Sequence, residues 1–164
     1  MKVLLALDDS HYSKHMLELV SRRHWAPDTQ FKIVHVVEPV DLGDFRGNGW
    51  MEMQQDIEER RKVSAEKLCE DARHKLEKSV PESIVHFEIR KGRPHVEILL
   101  AAAEWDANRI LVGAHSREVC PHNLLGSVSR AIAERAQCSV EVIRTQLAPV
   151  KQEKTTALSA SKTK

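Results

Sequence analysis

The sequence predicts an α/β protein built on a doubly wound, five-stranded parallel sheet, and three observations lead to this fold class. Short apolar runs alternate with segments whose apolar residues recur at helical spacing, which is typical of repeated strand–helix units. The first and fourth runs are apolar almost throughout, as central strands covered on both faces must be. The third and fifth runs alternate apolar and polar residues, as strands with one wetter face do. The simplest strand order is therefore 3-2-1-4-5, a Rossmann-like arrangement with helices on both faces of the sheet.

The five predicted strands are short, and the chain marks where the first two of them end. The first stops at Asp8 and Asp9, and the second is followed by a glycine-containing loop. The third reads V-H-F-E-I-R over residues 85–90, an alternation that places it at an edge of the sheet. The predicted strands are Lys2–Leu7, Phe31–Val37, Ser83–Arg90, Arg109–Ala114 and Ser139–Arg144.

Four helices are predicted between the strands. Ser10 is a suitable N-cap for the first helix, and Pro94 suits the first turn of the third. The second helix is long and charged, from about Met51 to Ser79, and the fourth runs from Val128 to Gln137. The apolar residues at helical spacing in the first three helices are Tyr12, Met16, Leu17 and Val20, then Met53, Ile57, Leu68, Ala72 and Leu76, then Val96, Leu99, Leu100 and Ala103.

The composition is that of one globular domain without an electrostatic partner surface. Of the 164 residues 41% are hydrophobic and 30% charged, and 25 basic residues nearly balance 24 acidic ones. This balance leaves no large excess of positive charge that would indicate binding to nucleic acid or to an anionic membrane. The folded domain is predicted to span residues 1–146, and the lysine-rich segment 147–164 lacks apolar periodicity and is predicted to be a disordered basic tail.

The N-terminus and the cysteines predict a cytoplasmic location. The stretch "MKVLLALDDSH" breaks on two aspartates after a short apolar run, so it is interpreted as a core strand and not as a signal peptide. Cys69, Cys120 and Cys138 are odd in number and lack a Cys-x-x-Cys spacing, which favours reduced thiols over disulfides or a zinc site. The histidine pairs His11/His15 and His115/His122 have no carboxylate or cysteine partner at ligand spacing, so no metal site is predicted.

The predicted strand order places a binding crevice beyond the carboxyl ends of the first and fourth strands. The connections that leave these two neighbouring strands go to opposite faces of the sheet, and ligands of open α/β sheets bind at such a switch point. The segments that line the crevice are "DDSHYS" (8–13) and "GAHSREVCPHNLLGSVS" (113–129).

The second of these segments has the features of an anion site. A helix that begins at Gly126 presents unpaired backbone N–H groups and the positive end of its dipole, and the hydroxyls of Ser127 and Ser129 add donors. Neither of the two common glycine-rich phosphate motifs, G-x-x-x-x-G-K-[ST] and G-x-G-x-x-G after the first strand, is present. Phosphate binding of a different type is therefore predicted.

Here the sequence resembles the universal stress protein family over roughly residues 1–145. Nucleotide-binding members of that family carry a Gly, two residues, a Gly, nine residues, and then Gly-Ser or Gly-Thr. This chain has Gly113, two residues, Ser116, nine residues, and then Gly126-Ser127, so Ser116 stands where the motif has its second Gly. The stretches "LLALDDS", "HVVEP" and "GSVSRAIAERAQCSVEVIR" are similar to the family's first strand, second strand, and closing helix and strand.

The resemblance implies a cytoplasmic stress-response protein that binds ATP or a related adenine nucleotide, with Mg²⁺ accompanying the triphosphate. It implies that Asp8 holds the ribose or adenine side, that backbone at Val36 or Val37 borders the adenine, and that Gly113, Gly126, Ser127 and Ser129 surround the phosphates. It also implies a homodimer paired through the fifth strand. The residues predicted to bind the nucleotide are Ala6, Leu7, Asp8, Ser10, Val36, Val37, Gly113, His115, Ser116, Gly126, Ser127, Val128 and Ser129.

Two further functions remain open from the sequence. No base stands beside a nucleophile and no lysine is placed for phosphoryl transfer, which favours a sensing or signalling role over catalysis. At most, slow ATP hydrolysis is compatible with this pattern. The serine at the second glycine position is instead compatible with a nucleotide-free dimeric adaptor of the same fold.

Overall fold

The structure, a computed structural model, describes residues 1–39, 50–115 and 125–144. Within them lies a five-stranded, all-parallel sheet of order β3-β2-β1-β4-β5, which confirms the predicted fold class and strand order. Predictions that concern Ser116, Cys120, His122 and the tail 147–164 lie outside the described residues. The strands are β1 Lys2–Ala6, β2 Gln30–Val37, β3 Ile84–Lys91, β4 Arg109–Gly113 and β5 Ser139–Ile143.

Four helices complete the described chain, and the second and fourth begin and end within two residues of their predicted bounds. Ser10 is the N-cap of the first helix, where its hydroxyl accepts the N–H of Ser13, and Pro94 occupies the first position of the third. No helix in the described ranges is long and apolar enough to cross a membrane. The helices are α1 His11–Arg22, α2 Trp50–Ser79, α3 Pro94–Glu104 and α4 Ser127–Arg135.

The sheet separates two apolar cores. Along β1, Val3 and Leu5 join the core under α1 and α2, while Leu4 and Ala6 join the core under α3 and α4. All four side chains are buried, because successive residues of a strand point to opposite faces. A central strand covered on both sides is therefore apolar throughout, as the sequence predicted.

The buried face of α2 does not extend through the first half of the helix, contrary to the prediction. Met53 is 44% exposed, whereas Cys69, Ala72 and Leu76 are buried against the sheet. A helix of 30 residues is about 45 Å long, and a strand of eight residues such as β2 spans only about 26 Å, so the first half of α2 extends past the sheet. Burial raises the pKa of the Cys69 thiol to about 12, which keeps this thiol neutral within the core.

The buried face of α3 also differs from the predicted one. Ile98, Ala101 and Ala102 contact the sheet, whereas Val96 and Leu100 are 38% and 46% exposed. Two adjacent alanines allow the helix to lie close to β2, and this turns the larger Val96 and Leu100 outward. The helix is confirmed, but its orientation about its own axis was predicted incorrectly.

An ion pair connects the end of α1 to the edge strand β5. The guanidinium of Arg23 donates to both carboxylate oxygens of Glu141, at 2.8 and 2.6 Å, and Arg109 lies 3.6 Å from the same carboxylate. The hydrogen bonds from Arg23 hold the pKa of Glu141 below its usual range. Both side chains are about a third exposed, so water and salt screen much of the attraction.

We expect the replacement Glu141→Gln to lower the free energy of unfolding by about 0.5–1 kcal/mol at pH 7. Because the folded-state pKa of Glu141 is depressed, this contribution is full above the unfolded pKa of about 4.3 and is lost as pH falls through the folded pKa. Urea unfolding of both proteins between pH 7 and pH 3.5 measures the difference. The exposed Glu82→Gln is the control, and a difference that persists unchanged at the acid end contradicts the ion-pair explanation.

Candidate functional site

A cavity of about 570 Å³ opens at the carboxyl ends of β1, β2 and β4. Its position follows from the topology, because β1 and β4 are neighbours whose following helices lie on opposite faces of the sheet. Eleven of the thirteen predicted binding residues line it. The two others are Ser10, which is not in the lining, and Ser116, which lies outside the described residues. The lining residues among those predicted are Ala6, Leu7, Asp8, Val36, Val37, Gly113, His115, Gly126, Ser127, Val128 and Ser129.

Asp8 lines the cavity just after β1 and is held by the first turn of α1. Its Oδ1 accepts the backbone N–H of Ser10 at 3.1 Å, the hydroxyl of Ser13 at 2.6 Å, and the hydroxyl of Ser10. The backbone N–H of Asp8 donates in turn to the Ser13 hydroxyl at 2.9 Å. Ser10 therefore contacts the cavity only through Asp8, because it caps α1 and donates to the carboxylate without lining the cavity.

The N-terminus of α4 forms one end of the cavity. Gly126 is its N-cap and has extended backbone angles, and no side chain caps the helix within the described residues. The N–H of Gly126 donates to the carbonyl of Ala114 at 2.8 Å, so this amide is used by the fold. The first-turn amides of Ser127 and Val128 have no intrahelical acceptor by the geometry of a helix, and both residues line the cavity.

The two serines at this end have different roles in the fold. The hydroxyl of Ser129 is buried and donates to the carbonyl of Ala114 at 2.9 Å, with the carbonyl of Gly126 at 3.1 Å. It therefore ties the start of α4 to the end of β4. Ser127 is exposed at the first helical position and lines the cavity, so its hydroxyl is the better placed of the two for a ligand.

Gly113 and Gly126 stand where other parts of the chain come too close for a side chain. Neither has a positive φ, so a left-handed backbone is not the reason for glycine at these positions. A Cβ on Gly113 would lie 2.9 Å from the Cβ of Tyr12, and a Cβ on Gly126 would lie 3.2 Å from the carbonyl oxygen of Ala114. Gly113 thus lets α1 pass against the end of β4. Gly126 lets the first turn of α4 approach the same strand end.

The cavity has a second, apolar end that the sequence analysis only partly identified. Ala65 and Leu68 of α2 lie on one side of the end of β2, and Pro94 and Ile98 of α3 lie on the other. Together with Val36 and Val37 of β2, these four residues form what we call the apolar slot. The prediction contained only the two valines. The spacing Arg61, Ser64, Ala65, Leu68 on one face of α2 is the sequence signal that could have added the helix.

The cavity is mixed in charge, with more carboxylates than cations. Asp8, Asp9 and Glu38 line it, and Arg61 is the one Lys or Arg in the described lining. Two histidines add to it: His35 contacts the carbonyl of Leu7 through Nδ1 at 2.9 Å, and His115 lies against the ring of Tyr12. Among the described residues no group of three or more His, Cys, Asp or Glu is arranged to hold a metal ion.

Two relatives are similar in sequence over most of their length. A universal stress protein from Synechocystis is 26% identical over 154 residues, covering 87% of this chain and 97% of the relative. A universal stress protein from Thermus aquaticus, encoded in the 3′ region of a sulfhydrylase gene, is 28% identical over 144 residues, with the same coverage of both chains.

Three solved structures share the fold. Hypothetical protein MJ0577 superposes with a TM-score of 0.76 at 22% identity, covering 90% of this chain and 97% of that one. An Arabidopsis thaliana universal stress protein with AMP bound gives 0.63 at 18% identity, covering 88% and 91%. The Archaeoglobus fulgidus universal stress protein in complex with dAMP gives 0.56 at 23% identity, covering 87% and 97%.

A sequence model of the universal stress protein family matches residues 1–144, a span that includes every described residue. The strand order, the crevice at the switch point and the Gly126-Ser127 start of α4 agree with that match. The chain belongs to the universal stress protein family.

Proposed function

We propose that the cavity binds an adenine nucleotide, with ATP as the physiological form. The observation that carries this proposal is the arrangement of three unlike environments across adjacent strands: the apolar slot at β2, the Asp8 carboxylate at β1, and the α4 N-terminus at β4. Neighbouring strands are about 4.8 Å apart, so the slot and the helix terminus are about 10 Å apart with Asp8 between them. A base, a ribose and a phosphate follow one another in the same order within a nucleotide.

Each environment suits the group that we assign to it. A planar base loses its hydration favourably between the apolar side chains of α2 and α3. A carboxylate accepts hydrogen bonds from ribose hydroxyls, and a helix N-terminus offers N–H donors and a positive dipole end to a phosphate. The AMP and dAMP bound to the Arabidopsis and Archaeoglobus proteins support an adenine nucleotide as the ligand class.

We infer that Mg²⁺ accompanies a triphosphate here. The described lining carries three carboxylates and one guanidinium, so a triphosphate without a cation would add to an existing negative charge. Phosphate oxygens together with water would supply ligands of the ion, as is usual for Mg²⁺.

The proposed work of the bound nucleotide is sensing or signalling by a cytoplasmic homodimer. No lysine is present in the described lining of the cavity, which supports nucleotide binding over rapid phosphoryl transfer. Cys69 and Cys138 are free thiols, which supports a reducing compartment. Ligand-binding and phosphate-release measurements distinguish this function from the two others, a nucleotide-free adaptor and a slow hydrolase.

We expect saturating ATP with Mg²⁺, at about 100 times the dissociation constant, to stabilise the protein by about 2.7 kcal/mol. For a chain of this size the melting temperature would rise by roughly 5–10 °C.

Asp8→Asn keeps the Oδ1 acceptor for Ser10 and Ser13 but replaces the second oxygen with a donor, so it should weaken ATP binding about tenfold, or 1.4 kcal/mol.

The control for Asp8→Asn is Asp56→Asn, a change of equal charge on an exposed part of α2. Differential scanning fluorimetry and titration calorimetry measure both effects on protein freed of ligand by unfolding and refolding. A melting curve that ATP, ADP and AMP all leave unmoved at millimolar concentration rejects the nucleotide proposal in favour of the adaptor. Stoichiometric release of phosphate over hours would support the hydrolase.

The two serines of α4 should separate stability from affinity. Ser129→Ala removes a buried hydrogen bond to Ala114 and should lower the free energy of unfolding by about 1 kcal/mol while leaving AMP affinity within about twofold. Ser127→Ala should leave stability unchanged and weaken AMP several-fold, but leave adenosine binding unaffected because adenosine has no phosphate. Chemical unfolding and calorimetry with both ligands provide the test. If Ser127→Ala weakens adenosine as much as AMP, the phosphate is not at this end.

The open edge of β5 is the proposed dimer contact. The carbonyl of Ile143 accepts the N–H of Ala114, so the backbone of Ile143 faces β4 and that of Val142 faces the open edge. Val142→Pro therefore removes an outward donor without breaking the β4–β5 ladder, and should convert the dimer to a monomer. Val142→Ala retains the N–H and should remain dimeric. Light scattering at micromolar concentration measures both, and an unmodified protein that is monomeric under these conditions disproves the contact.

A further inference from the structure

Arg61 occupies the outer end of the α2 face that lines the cavity. Arg61, Ser64 and Leu68 are three and four residues apart along the helix, so their side chains lie on one side of it. Leu68 is the part of this face that belongs to the apolar slot, and Arg61 lies about two turns nearer the N-terminus of α2. The helix therefore carries a guanidinium at the rim of the slot.

A backbone hydrogen bond fixes the position of this guanidinium. Nη1 of Arg61 donates to the carbonyl oxygen of Glu38 at 3.1 Å, and Glu38 directly follows Val37, the last residue of β2. The neighbouring Arg60 behaves differently, because its Nε pairs with the carboxylate of Asp56 one turn earlier at 2.9 Å. Within the described ranges no carboxylate lies at ion-pair distance from Arg61, so no protein anion pairs with its charge there.

The position of Arg61 relative to the sheet distinguishes the base from the phosphate as its ligand. The guanidinium is held at the end of β2, whereas the N-terminus of α4 follows β4 on the far side of β1. Two strand spacings put these places about 10 Å apart. A nucleotide with its phosphate at α4 and its ribose at Asp8 therefore presents its base, and not its phosphate, to Arg61.

We propose that Arg61 stacks on the base of the bound nucleotide and forms the outer wall of the apolar slot, an inference that rests on the nucleotide-binding function proposed above. A guanidinium makes its hydrogen bonds through its edge, so the bond to Glu38 leaves its two faces available for a flat ring. Stacking of Arg on bases is common in nucleic-acid recognition and depends on the plane of the guanidinium as well as on its charge. Arg61 is thus a positioning and affinity residue for the base.

The experiment is calorimetric titration of the full chain with AMP and, separately, with adenosine, for the unmodified protein and three variants. Arg61→Ala should weaken AMP and adenosine by the same factor, about five- to tenfold, because both ligands carry the base. Arg61→Lys should weaken both about as much, because lysine keeps the charge but has no plane. Arg60→Ala, the matched control on the adjacent exposed position, should leave both affinities unchanged. Thermal unfolding of the free variants checks that each is folded, which is expected for alanine on an exposed helix face.

Each other outcome overturns the assignment in a recognisable way. Loss of AMP affinity with adenosine unaffected would place Arg61 at the phosphate. Full retention by Arg61→Lys would show that charge and not stacking is responsible, and an Arg61→Ala variant that matches Arg60→Ala would show that Arg61 makes no contact. If the unmodified protein binds none of ATP, AMP and adenosine, the nucleotide-binding function itself fails, and this inference fails with it.

Discussion

The parallel pairing of β1 with β4 is the constraint on which the rest of the site depends. Its register joins Ala6 to Val112, so the polar segment after β1 and the Gly113 end of β4 come to the same level of the sheet. Because these two strands are central, each must be apolar on both faces, and the chain can become polar only where the strands stop. α1 and α4 then leave to opposite faces, which opens the cavity between them. A different partner for β1 would separate Asp8 from the start of α4.

Small residues and backbone carbonyls bring the two sides of the crevice close together. The carbonyl of Ala114 accepts both the N–H of Gly126 and the hydroxyl of Ser129, so one oxygen fixes where α4 begins. On the other side, Oδ1 of Asp8 fixes the first turn of α1 in a similar way. These hydrogen bonds lie within the protein and exist before any ligand binds. The proposed binding groups are therefore pre-organised, which lowers the ordering cost of binding.

The sequence predicted the sheet, its strand order and most of the cavity because these depend on local periodicity and on topological rules. Where the structure differs, the cause is tertiary. Apolar periodicity does not show how much of a 30-residue helix packs against an eight-residue strand. Met53 was therefore predicted to be buried, although the core does not extend as far as this residue. Periodicity also cannot decide between two apolar faces of α3, where the alanine pair and not Leu100 contacts the sheet.

Arg61 shows the same limit for the site. Within the charge run 58–62 its neighbours are equally polar, and only the rotation of α2 against β2 distinguishes the residue that lines the cavity from those that face water. That rotation is set by Ala65, Cys69, Ala72 and Leu76, which are buried one to four turns further along. The proposed contact of Arg61 with the base therefore depends on core packing that begins four residues away.

The hydrogen bonds at the α4 end explain why its sequence signal consists of glycine and small hydroxyl residues. Gly126 contributes no side chain and its N–H is taken by Ala114, while the Ser129 hydroxyl is taken by the same carbonyl. What remains for an anion is the Ser127 hydroxyl and the amides of the first turn, which are mostly backbone groups. A site of this kind needs correct backbone placement more than it needs particular side chains. The glycine and the buried serine are then requirements of placement, and in the proposed site the donors for the phosphate come from the helix itself.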